Sequence, residues 1–119
     1  MAQLTLIRGI PGSGKTTLAK KHPHTAHFEA DMFFIKNGEY VFDYTKISEA
    51  HNWCQEQTKQ ALDRGETVIV SNTFVKKWEM EPYLSMTENV RVIIATGKYK
   101  NTHCVPDEVI ERMINDFEL

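Results

Sequence analysis

Cysteine is scarce in this chain. Cys54 and Cys104 are its two thiols in 119 residues, and they form no CxxC pair. Two such thiols cannot build a disulfide framework, and a reducing cytoplasm is the simplest setting for them. Long apolar runs are also missing. None approaches the ~20 residues that cross a bilayer, so no membrane partner is expected. The opening Met1-Ala2-Gln3-Leu4 has no basic n-region and no cleavage signal, which argues against secretion. Neither sign of charge dominates, since 14 Lys+Arg against 16 Asp+Glu give a net −2. That balance disfavours wrapping a long nucleic-acid duplex. It leaves room for gripping one phosphate or one chain end. There is no repeat, low-complexity stretch or linker. With 41% hydrophobic and 25% charged residues, the composition is that of an ordinary globular unit, read as one domain over 1–119.

Short β-branched and apolar runs alternate with helix-compatible ones. Strands are expected at 4–7, 25–29, 67–70 and 90–94. Helices are expected at 16–21, closed by Pro23, and at 45–64, where Ile47, Ala50, Cys54, Thr58 and Ala61 recur in steps of 3 and 4. A third covers 76–86, kinked or restarted at Pro82. The last opens at Pro106-Asp107-Glu108 and carries an apolar stripe of Val109, Ile110, Met113, Ile114 and Phe117. Asn37-Gly38 marks a turn. Such alternation implies an α/β fold, a parallel sheet covered by helices with its site at the carboxyl ends of the strands.

One motif carries chemistry on its own. Gly9-Ile10-Pro11-Gly12-Ser13-Gly14-Lys15-Thr16 fits G-x-x-x-x-G-K-[ST] in full, between a hydrophobic strand and a helix. Glycines let the backbone N–H groups of such a loop converge into an anion nest, and the helix that follows adds its positive end. Lys15 is expected to reach the β- and γ-phosphates, and the Thr16 hydroxyl to help hold Mg²⁺. Gly9, Pro11, Gly12, Ser13, Gly14, Lys15, Thr16 and the adjoining Thr17 form the candidate nucleotide-binding set.

Asp31 follows Phe28-Glu29-Ala30, at the carboxyl end of the expected second strand. A carboxylate there can take a proton from an attacking hydroxyl, or it can cap a helix; both readings stay open. Asp31 is also, with Thr16, a candidate metal ligand. Phe33 and Phe34 read as core or groove lining, and His51, Trp53 and Cys54 as packing residues on the long helix. Lys76, Lys77, Lys98 and Lys100 follow two successive strands and are either phosphate contacts or solvated surface. His22, His24 and His27 have the spacing of a loose metal cluster or of a polar loop around Pro23.

Beyond the loop, further blocks carry a resemblance. Gly9 to Ala19, Ala30-Asp31-Met32-Phe33-Phe34, Asn37-Gly38-Glu39-Tyr40-Val41-Phe42, Ala50-His51-Asn52-Trp53-Cys54, Trp78-Glu79-Met80-Glu81-Pro82-Tyr83 and Asn101-Thr102-His103-Cys104-Val105-Pro106 stand in the order of a P-loop kinase family related to phage polynucleotide 5′-hydroxyl kinase. The resemblance implies a P-loop three-layer sandwich with a small, mostly parallel sheet flanked by helices. It also implies ATP and Mg²⁺ as cofactors and transfer of the γ-phosphoryl group to a hydroxyl, a nucleic-acid 5′ end among the acceptors. Catalytic roles would fall to Asp31, Lys15 and Lys100.

The chain departs from the family at particular places. Ser71-Asn72-Thr73-Phe74 stands where the family has Asp-Asn-Thr-Asn, so the acid of the Mg²⁺ shell is missing there. Lys100 replaces a lid arginine, and Cys104 a glycine. Phe33-Phe34 stands where polynucleotide kinases carry an arginine for the acceptor's phosphate. An alternative function is therefore a nucleotide-binding module or slow NTPase without kinase activity. A small-metabolite kinase is the third.

Overall fold

The computed structural model describes residues 3–95 and 107–118. Four strands form the central sheet: β1 (Gln3–Arg8), β2 (Ala26–Phe28), β5 (Thr67–Asn72) and β6 (Val90–Ile94), in the order β2-β5-β1-β6. All are parallel, so every strand ends on the same edge. Between β2 and β5 lies a hairpin of β3 (Ile35–Lys36) and β4 (Glu39–Tyr40). Its turn residues Asn37 and Gly38 both have positive φ, at 52° and 82°, which suits a two-residue connection between twisted strands.

The helices are α1 (Lys15–Lys21), α2 (Ile47–Asp63), α3 (Glu81–Leu84) and α4 (Asp107–Asp116). A 3-10 turn over Lys77–Met80 runs into α3, whose first turn contains Pro82. Proline lacks an N–H and is tolerated where none is needed, so the chain restarts there rather than kinking.

Alternate residues of a strand face opposite sides, and the two sides of this sheet meet different helices. Leu4, Leu6, Val68 and Val70 pack with Ala50, Cys54, Ala61 and Leu62 of α2, and with Phe74, Met80 and Tyr83. Ile7 and Ile69 pack with Ala19 of α1 and with Ala95. The side beneath α1 is therefore the one that carries odd-numbered residues of β1 and β5.

Two expectations need correction. Ile47 does not belong to the buried face of α2. It is 42% exposed, because it is the first residue of the helix and follows a 3-10 turn with no buried side chain. The stripe on α4 is only half-covered: the helix has no buried residue, and Ile114 is 54% exposed.

Candidate functional site

The loop between β1 and α1 bends as its sequence requires. Gly12 and Gly14 have φ of 81° and 92°, which a Cβ would resist. Gly9 is constrained by space instead. A Cβ there would lie 2.2 Å from Ser13 Oγ and 3.1 Å from Ala95 Cβ. The Gly9 N–H donates to the Thr73 carbonyl at 3.3 Å and that of Ser13 to the Ile10 carbonyl at 3.1 Å, tying the loop to the end of β5 and to itself. Lys15 Nζ donates to the Ile10 carbonyl at 3.0 Å, which keeps the ammonium over the loop. Burial lowers its proton affinity below that of an ordinary lysine, and the charges of Glu29 and Asp31 partly offset this. Opposite charges thus converge on the loop's single lysine.

Below the loop runs a chain of contacts that the residue order alone did not reveal. Thr16 Oγ1 donates to Glu29 Oε2 at 3.2 Å. His27 Nε2 lies 3.3 Å from the same oxygen and 3.0 Å from Ser71 Oγ. In register, His27 is opposite Ile69, so His27 and Glu29 share the α1 side of the sheet with Ser71. The Glu29 side chain is only 15% exposed. Burial pushes its carboxyl up, but His27, the Thr16 hydroxyl and Lys15 together leave it below the ordinary carboxylate value. His27 is thereby drawn out of the histidine trio. His24 Nδ1 sits 2.7 Å from the His22 carbonyl, and among the described residues no group of three or more His, Cys, Asp or Glu is arranged to hold a metal.

Asn72, on the opposite side of β5, is structural. Its Oδ1 accepts from the Ala30 N–H at 2.9 Å and its Nδ2 faces Cys54 Sγ at 3.8 Å. It thus fixes the residue between Glu29 and Asp31. Asp31 lies in the first turn of a 3-10 helix over Ala30–Phe34 whose N-cap position is Glu29, so Asp31 is not the cap. Tyr40 Oη donates to Asp31 Oδ1 at 3.2 Å. Burial, the Asp31 charge and this bond push the Tyr40 hydroxyl up to about 12, so it stays a donor at neutral pH.

Phe34 is 3% exposed, and Phe33 meets it edge to face and packs at a tilt against Trp53, in line with a core role for both. Cys54 is fully buried. Lys76 and Lys77 open the turn after β5, and their backbone N–H groups donate to Glu79 and Glu118. Lys98, Lys100 and the 101–106 block lie outside the described residues.

The fold and the family have known counterparts. Residues 4–105 match AAA_33, an AAA domain. The chain belongs to this P-loop kinase-like family. It is 32% identical over 133 residues to NEDD4-binding protein 2 of Homo sapiens, a match spanning 97% of this chain but 8% of that protein. It is 28% identical over 134 residues to the uncharacterized protein PM0531 of Pasteurella multocida (strain Pm70), spanning 95% and 75% of the two chains. The fold is shared with a chain of the Pnkp1/Rnl/Hen1 complex, at TM-score 0.65 and 15% identity over 93% of this chain and 38% of that one. It is shared also with an unliganded sugar kinase from Janibacter sp. HTCC2649, at TM-score 0.60 and 20% identity over 100% and 69%. This is a P-loop kinase-like, nucleotide-binding protein of the α/β class. Among the described residues no helix is long and apolar enough to cross a membrane.

Proposed function

We propose that this protein transfers the γ-phosphoryl group of ATP to a hydroxyl, with Asp31 as the general base. The observation that supports this most is the pairing of a complete phosphate loop with a carboxylate, Asp31, in the first turn after β2; after Glu29, it is the second acid that raises the proton affinity of Lys15 against burial. Asp31 takes the proton of the attacking hydroxyl, the acceptor's oxygen bonds to the γ-phosphorus, and the bond from that phosphorus to the β–γ bridging oxygen breaks to release ADP. Lys15 offsets charge on the transferring group. Tyr40 orients the base through its hydrogen bond. Mg²⁺ suits the oxygen donors present, the Thr16 hydroxyl and a carboxylate from the end of β2. When bound it would neutralise charge on the β- and γ-phosphates.

A nucleic-acid 5′ hydroxyl is the acceptor favoured by the family resemblance. Exposed aromatic rings beside the base support it: Tyr40 and Phe42 are stacked at 16°, and such rings accept a nucleobase without reading its sequence. A second function, nucleotide binding with slow or no transfer, is favoured by one observation. Both polar side chains at the end of β5, Ser71 and Asn72, are neutral and bonded within the protein.

Labelled ATP with a panel of 5′-hydroxyl oligonucleotides, nucleosides and sugars separates the two. Acceptor-dependent transfer is expected. It should fall about 10²–10⁴-fold in Asp31→Asn, with nucleotide affinity kept. Tight binding without transfer to any acceptor would favour the second function. Full transfer by Asp31→Asn would remove the base role.

A further inference from the structure

Three side chains end near the phosphate loop on the α1 side of the sheet, and only one of them is an acid. Ser71 is 1% exposed and engaged with His27. Glu29 is the carboxylate in contact with the loop's own hydroxyl, Thr16. That bond uses the Thr16 proton and leaves the oxygen's lone pairs for a cation. The Glu29 contacts to Thr16 and to His27 both go through Oε2; Oε1 takes part in neither. Mg²⁺ in nucleotide sites is held by one or two carboxylates together with substrate phosphates and waters, which is the donor set that Thr16, Glu29 and a bound nucleotide provide.

We infer that Glu29 is the protein carboxylate of the nucleotide-bound Mg²⁺ shell, supplied from the end of β2, with His27 and Ser71 bracing it from behind. The inference rests on the nucleotide-binding role of the loop. It also divides the labour between two acids: Glu29 serves the metal, and Asp31, two residues on and bonded to Tyr40, serves the proton. The end of β5 supplies a neutral brace where an acid would otherwise stand. Residue 71 lies on β5 and residue 29 directly follows the adjacent β2 on the same side of the sheet, so the negative charge is moved sideways by one strand and kept.

The test is nucleotide affinity, measured by calorimetry with a non-hydrolysable ATP analogue, in excess Mg²⁺ and in EDTA. The wild-type protein is expected to bind more tightly with Mg²⁺. Glu29→Gln should lose about 10–100-fold of that enhancement, while affinity in EDTA is unchanged or rises, because a negative charge near the phosphates is gone. A purely structural role would weaken both conditions equally, and that result would overturn the inference. Adding Ser71→Asp to Glu29→Gln should recover the enhancement; no recovery, with the double variant folded, would also count against it. If Glu29→Gln does not fold, Glu29→Asp takes its place. It keeps the charge and should keep most of the enhancement, and a fall to the EDTA level would overturn the proposal. Lys15→Ala should weaken binding under both conditions. If the wild-type protein binds no nucleotide at all, the nucleotide-binding role itself fails, an outcome distinct from loss of the Mg²⁺ effect alone.

Discussion

Replacing Gly9 by alanine tests whether the phosphate loop is held by space or by torsion. Gly9 is not among the residues with positive φ, so an alanine backbone fits there without strain. The new methyl group does not. It would meet Ser13 Oγ at 2.2 Å, Ala95 Cβ at 3.1 Å and the Ala95 carbonyl at 3.2 Å. The first contact can be relieved, because Ser13 Oγ is buried with no hydrogen-bond partner among the described residues and turning it away breaks no bond. The other two cannot easily give, since the Ala95 N–H is bonded to the Arg8 carbonyl at 2.7 Å and holds that residue against β1. Overpacking of this kind costs about 1–3 kcal/mol. A Gly→Ala change returns about 0.4–1 kcal/mol by stiffening the unfolded chain. The steric cost outweighs that gain, leaving a net loss of about 1–2 kcal/mol and a fall in Tm on the order of 5–10 °C. Ser13→Ala alone should be nearly neutral, since it removes an unpaired buried hydroxyl. The double variant should be more stable than the two single effects predict, by roughly 1 kcal/mol of coupling. Urea denaturation of the four proteins, with nucleotide binding as the functional readout, gives the cycle. A Gly9→Ala protein as stable as wild type, with no coupling to position 13, would refute the steric account.

Two further predictions concern groups outside the phosphate site. Arg8 is 2% exposed; it donates to the Phe74 carbonyl at 3.0 and 2.8 Å and to that of Glu118, with its guanidinium 4.5 Å over the Phe117 ring. Arg8→Met should therefore cost about 3 kcal/mol in urea denaturation and speed proteolysis of the C-terminal tail; a loss below about 0.5 kcal/mol would show the clasp to be idle. Burial pushes the Cys54 thiol up, against weaker opposing bonds from Tyr83 and Asn72, so its thiolate is less populated than an ordinary one at any given pH. Iodoacetamide labelling read by peptide mass, which separates Cys54 from Cys104, should be slow in the native protein and should not accelerate as pH passes the ordinary thiol range. Rapid native labelling would contradict a packing role.

The fold was legible where local chemistry decides the backbone. Gly12 and Gly14 announce a tight loop, Asn37-Gly38 a turn and Pro82 a kink or a restart, and each needs only its neighbours in sequence. Apolar periodicity found α2 but misplaced Ile47, because periodicity tells which side a residue faces and not whether the partner layer extends far enough to cover it. The same limit explains α4, whose stripe is real but half-exposed. Arg8 escaped notice for a different reason: a lone basic residue ending a strand signals nothing until its partners, 66 and 110 residues away, are brought to it.

Glu29 shows most clearly why the site was only partly legible. Asp31 stands out because it follows an expected strand in a chain with a known motif, a property of order along the chain. The contact of Glu29 with Thr16, and of His27 with Ser71, depends on β2 lying beside β5 rather than beside β1, and strand order is not written in local sequence. Once that order is known, period-two alternation does the rest. It sends Ser71 toward α1 and Asn72 toward α2, and it puts Glu29, two residues after His27, on the same side as Ser71. Neutral residues at the end of β5 look, on their own, like a lost acid. Beside β2 they become a brace for an acid that sits one strand away, in hydrogen-bond contact with the hydroxyl of the phosphate loop.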